Sequence, residues 1–198
     1  MLGVDAYVGY VDAYVAHVSR GPDVVCPSTF YVGIVHYRQR IHKLPQTLDL
    51  SASYNPQEIV ESVARHLGQV TFCFAAGALV VYNLHGQMVL FRSRPVDDLF
   101  LQALRRRLVL SYQLYVGPAL TEPEIQVTIY GDAVPGPYEP PRSLLTMPIL
   151  CGGRVTGMIA IASVFPDVFN GKDLCVMASL TAQVSEALDR IGFVVAPG

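Results

Sequence analysis

The stretch Thr71–Tyr82 constrains this chain more than any other. It carries no charge and is apolar on both alternating faces. A half-exposed strand alternates apolar and polar positions, so an unbroken run describes a central strand covered on both sides. Such a strand implies a layered domain, with helices or loops above and below one sheet. The run is too short for the roughly 20 apolar residues of a spanning helix. Val155–Phe165 is shorter still.

The flanking segments supply the other elements. Asn55-Pro56-Gln57-Glu58 joins an N-cap residue, proline at the first helical position and a glutamate three residues on. Ile59, Val60, Val63, Ala64 and Leu67 then share one helical face, ending near Gly68. The turn Asn83-Leu84-His85-Gly86 predicts a hairpin into Met88–Ser93. Asp97–Leu108 reads as a helix with acids in its first turn and Arg105-Arg106-Arg107 in its last, matching the macrodipole. Ile125–Tyr130 alternates as a strand, and the proline-rich Gly131–Pro141 predicts a loop. Leu144–Leu150 and Val155–Val164 flank Cys151-Gly152-Gly153-Arg154 as a second hairpin. After Asn170-Gly171-Lys172-Asp173, Leu174, Met177, Thr181, Val184, Leu188 and Ile191 make one stripe of a long helix. A second stripe, Val176, Leu180 and Ala187, is expected to lack a cover within one subunit. Before this domain, Val4, Val8, Val11, Val15 and Val18 recur at 4-3-4-3, as do Phe30, Ile34, Tyr37, Ile41 and Leu44. Both predict helical seams, the second with a strand through Phe30–His36 as its alternative.

Hydrophobic residues are 52% of the 198 and charged residues 15%, which excludes a disordered chain. The net charge of −2 offers no electrostatic footprint for nucleic acid or an anionic membrane. Met1–Gly21 lacks a cationic start, and Asp5 and Asp12 interrupt its apolar run, so no signal peptide is expected. Cys26, Cys73, Cys151 and Cys175 form no close pair, which argues for thiols in a reducing cytoplasm rather than a disulfide framework or a zinc site. The five histidines show no ligand spacing, and neither a metal nor a cofactor is expected.

Three segments together resemble the GAF domain, a small-molecule sensor module of signalling proteins: Ser143–Leu150, Gly153–Ala160, and Phe169 through Ile191 with its Phe-x-x-x-Asp start. The resemblance extends upstream to Leu48–Leu67. It implies an α+β, α/β/α-layered fold: a central antiparallel sheet of five to six strands, terminal helices on one face, and pocket-forming helices and loops on the other. The expected division is a helical extension over residues 1–45, a GAF-like domain over 46–192 and a tail over 193–198. The implied pocket is closed by about Pro95–Pro141, and its candidate lining is Tyr82, Phe91, Tyr112, Tyr115, Tyr130, Thr146 and Phe165.

Family members that bind cyclic nucleotides carry Asn-Lys…Phe-x-x-x-Asp-Glu. Here Phe169 and Asp173 match, but Leu174 replaces the glutamate and Ala162-Ser163 stands where Asn-Lys is expected. No cysteine precedes a histidine, unlike the bilin-binding members. Another branch reduces free methionine sulfoxide with cysteines near the pocket, and Cys151 beside Arg154 is the best candidate for a reactive thiol here. Arg105–Arg107 would suit an anionic ligand or simply a solvated helix end. Gly157 is expected to allow close approach of a strand and a helix.

These readings converge on a non-enzymatic sensory domain that binds a small molecule. It would relay its state through terminal helices of a homodimer to an output domain or partner, without nucleic acid or membrane. A ligand-free dimerisation module and a thiol reductase are the two alternatives.

Overall fold

The computed structural model describes Leu48, Leu50 and residues 55–82, 85–117, 124–133 and 139–193. The valine seam, the Phe30–Leu44 seam and the tip of the first hairpin lie outside the described residues. Along the chain come α1 (Pro56–Val70), β1 (Ala75–Tyr82), β2 (His85–Arg92), α2 (Asp98–Val116), β3 (Ile125–Tyr130), β4 (Ser143–Cys151), β5 (Arg154–Ser163) and α3 (Gly171–Arg190).

The strands form one sheet in the order β3-β2-β1-β5-β4. The Ala75–Tyr82 part of the apolar run ends up in the middle, as β1, between β2 and β5, while Thr71–Phe74 stay outside the strand with Phe72 exposed. Its odd-numbered residues Ala75, Leu79 and Val81 face one core and its even-numbered Ala76, Ala78 and Val80 the other. On the even side lie α1 and α3; on the odd side lies α2. The three-layer expectation therefore holds.

The sheet is mixed rather than antiparallel, because β3 runs parallel to β2. The cause is the helix between them. A helix that returns the chain to its starting end makes the next strand point the same way as the last.

Local signals place the helix starts. Asn55 Oδ1 accepts from the Glu58 N–H at 2.8 Å. Asp97 does the same for Phe100 at 2.8 Å. At α3 the box is reciprocal: Asn170 accepts from the Lys172 N–H at 2.8 Å, while Asp173 accepts from the Asn170 N–H at 2.9 Å. The Phe-x-x-x-Asp start is thus structural here, with Phe169 packed against the core and Asp173 closing the cap.

Three expectations need correction. α2 continues to Val116, so Arg105–Arg107 sit in mid-helix and the last turn holds no basic residue. The macrodipole does not account for them. Leu180 and Ala187, expected to lie uncovered, are 2% and 0% exposed. Helix α3 rests on β4 and also against α1, so two of its flanks are buried by the subunit itself. Gly157 opposes a strand and not a helix: a Cβ there would lie 2.1 Å from the Leu79 carbonyl oxygen of β1.

Candidate functional site

The two faces of the sheet offer different surroundings. On the α2 face, Phe100, Leu101, Leu104 and Leu108 close over Leu79, Met158, Ala160 and Ala162. The helix lies mainly across β1 and β5 and reaches β4, and its Asp98 pairs with Arg92 at the end of β2. The α2 side of β3 therefore runs from a buried Ile125 through a half-buried Val127 to Ile129, which is 47% exposed. Apolar side chains on the inner side of a layered sheet are normally covered. Only Ile129, at the exposed end of this strip, is left largely uncovered.

The seven candidate lining residues do not converge on that strip. Tyr112 is buried on the inner side of α2, and burial pushes its hydroxyl pKa up. Thr146 pairs with Ala160 in the β4–β5 ladder and shares its face, so it also lies on the α2 side. Phe165 stands at the sheet end, edge-on to Phe74 with centroids 5.5 Å apart. Tyr115 is 43% exposed near the end of α2. Tyr82, Phe91 and Tyr130 belong to the opposite face. Tyr82 meets the ring of Phe193 at 5.1 Å, and Phe91 and Tyr130 pack beside α1. The sheet separates the two groups, so they cannot line one cavity. Strand alternation decides this: Phe91 and Tyr130 are register partners and share a face, the one turned away from Met88 and Leu90.

A groove of about 230 Å3 does lie on the outside of α1, lined by Leu48, Glu61, Ser62, Arg65, His66 and Gln69. Its chemistry is largely spent internally. Glu61 accepts from Arg65 at 2.7 Å with one oxygen and from the Tyr130 hydroxyl at 2.6 Å with the other. That hydrogen bond, with the neighbouring carboxylate charge, raises the Tyr130 pKa. The network ties the edge strand β3 to α1, and we regard it as a brace. Its Glu61–Arg65 half is an i,i+4 helix pair that spacing alone announces, whereas the Tyr130 contact comes only with the folded sheet.

The thiols are equally informative. Cys73, Cys151 and Cys175 form no disulfide among the described residues. The single Cys151 Sγ–H is shared between Asp189 Oδ1 at 2.8 Å and the Phe193 carbonyl at 3.0 Å. Burial and the Asp189 carboxylate together push its pKa up to about 12. Arg154 adjoins it in the ladder. The hydrogen-bonded group is nevertheless an acid, the reverse of an activating environment. Cys73 is buried and its pKa is raised, chiefly by desolvation.

A family model described as the GAF domain matches residues 53–189. The chain belongs to the GAF family. Solved structures similar to this GAF domain include that of the cyanobacteriochrome TePixJ, at 14% identity with a TM-score of 0.47, covering 77% of this chain and all of that one. The GAF domain of an Acinetobacter phosphoenolpyruvate-protein phosphotransferase is 12% identical over 75% of this chain and 91% of its own, with a TM-score of 0.44. Residues 122 to 287 of a methyl-accepting chemotaxis protein give 16%, 75%, 97% and 0.42 for the same quantities. No curated protein matches the chain. GAF domains are in general sensory or regulatory modules of signalling proteins. Among the described residues of this one, no helix is long and apolar enough to cross a membrane.

Proposed function

We propose that this GAF domain is a non-enzymatic sensory module that takes a small, largely apolar molecule on the α2 side of its sheet and passes its state to an output partner. The observation that carries the reading is Ile129 on the α2 side of β3, 47% exposed beside an otherwise closed core. The Cys151 thiol argues against the thiol-reductase alternative: with its pKa pushed up to about 12 it stays protonated at neutral pH and is a poor nucleophile. Thiols without a disulfide among the described residues also fit a reducing, cytoplasmic setting. Homodimerisation is part of the proposal, but its support has moved. Leu180 and Ala187 no longer argue for it, and the reading rests on the apolar seams at Val4–Val18 and Phe30–Leu44.

Native mass spectrometry of the protein as purified from cells tests both parts. A retained small molecule, lost on denaturation and absent from the Ile129→Glu variant, is the expected result. A bare subunit mass, with amide exchange in β3 as slow as in β1, would instead support a filled module without ligand. A dimer that Val11→Arg dissociates is expected, and a monomeric parent at micromolar concentration removes the dimer.

A further inference from the structure

Helix α2 has a second face that neither the core nor the proposed ligand seat uses. Its buried residues are Phe100, Leu101, Leu104, Leu108, Val109 and Tyr112. On the opposite side Leu99, Leu110 and Leu114 are 51%, 53% and 74% exposed. At 3.6 residues per turn, Leu99, Ala103, Leu110 and Leu114 fall within an arc of about 60°. Arg106 lies about 20° beyond one side of that arc and Arg107 about 20° beyond the other. Both arginines are exposed. The strip runs roughly 22 Å along the helix. A narrow apolar seam with a cation on each flank is the pattern by which one helix selects another, with the flanking charges choosing the partner. It also gives the mid-helix arginines a purpose that the macrodipole does not supply.

We propose that this face of α2 docks an acidic amphipathic helix of another protein. The partner helix would lay a leucine-type stripe along Leu99–Leu114 and place glutamates or aspartates against Arg106 and Arg107. Charge complementarity argues for this occupant over a second copy of the chain. Parallel pairing of two α2 helices with the leucines in register sets Arg106 of one copy beside Arg107 of the other, and antiparallel pairing sets each arginine beside itself. Like charges facing across a seam disfavour both arrangements. An anionic membrane fits less well, because the chain carries a net charge of −2 and no tryptophan. The proposal does not depend on a ligand under α2.

The test uses the full chain and a designed helical peptide of about five turns. The peptide has one leucine stripe flanked on both sides by glutamate. A second peptide carries lysine at every glutamate position. Fluorescence anisotropy should show saturable binding of the acidic peptide, about tenfold or more tighter than the basic one, weakening as salt rises. Arg106→Glu with Arg107→Glu should invert the preference. Leu110→Ser with Leu114→Ser should weaken both peptides, and circular dichroism should find each variant folded, since all four positions are exposed. Equal binding of the two peptides, or none, overturns the proposal. So does self-association that the leucine substitutions abolish, which would identify a second copy. Binding to phosphatidylserine-rich vesicles that requires Leu114 would likewise overturn it in favour of a membrane.

Discussion

Replacing Gly157 with alanine tests how closely β1 and β5 are joined. The added Cβ would stand 2.1 Å from the Leu79 carbonyl oxygen and 3.2 Å from its carbon, where ordinary contact begins near 3.4 Å. Both are backbone atoms, so no side-chain rotation relieves the clash and the two strands must separate locally. Forced expansion of a packed core costs about 1–3 kcal/mol. Each ladder hydrogen bond lost near the Val80–Gly157 pair adds about 1 kcal/mol. The reduced freedom of the unfolded chain returns about 0.4–1 kcal/mol. The net destabilisation is about 2–4 kcal/mol, and at 2–4 °C per kcal/mol for a chain of this size the melting temperature should fall by about 5–15 °C. Gly153→Ala is the control. There the Cβ meets nothing within 4 Å, but the residue has φ +78°, so it should lose only the left-handed penalty of about 1–2 kcal/mol. Thermal melts followed by far-UV circular dichroism and tyrosine fluorescence measure both, the chain having no tryptophan. A Gly157→Ala melt within about 2 °C of the parent would refute the clash argument, given the same conversion. So would a control that loses more than the test variant.

Two further outcomes follow from burial. Leu180→Arg places a charge at a position 2% exposed within the subunit's own core, so it should unfold or aggregate the protein, and a soluble folded species by circular dichroism would contradict that placement. Cys151 has its pKa raised from 9.0 to about 12, so between those values the folded protein keeps a proton that the unfolded chain releases. Stability contributed by the thiol is complete below pH 9 and is lost as pH rises toward 12. Urea midpoints should fall less steeply above pH 9 in Cys151→Ala than in the parent, and parallel pH profiles would refute the assignment.

How much of this was legible beforehand depends on how far apart the interacting residues stand. The caps at Asn55, Asp97 and Asn170, the central β1 and the strand Ile125–Tyr130 rest on neighbours a few positions apart, and each was readable from spacing alone. The end of α2 was not. Arg105–Arg107 mimic a helix terminus, but Leu108, Val109 and Tyr112 continue its buried face, and that burial extends the helix to Val116. The pocket lining was misassigned for a different reason. Aromatic identity says that Phe91 and Tyr130 are half-buried, but not on which side of the sheet.

The sequence by itself determined the layered α+β fold and the GAF resemblance, because periodicity, caps and motif spacing are local properties. Only the tertiary structure decided which faces are covered. It put Leu180 and Ala187 inside, left Leu110 and Leu114 outside, and turned the Cys151 thiol to Asp189, 38 residues away. It also set β3 parallel to β2. Each of these depends on which distant element comes to lie against a given side chain. That is settled by packing across the whole chain, and a stripe of leucines reads the same whether a neighbour covers it or water does.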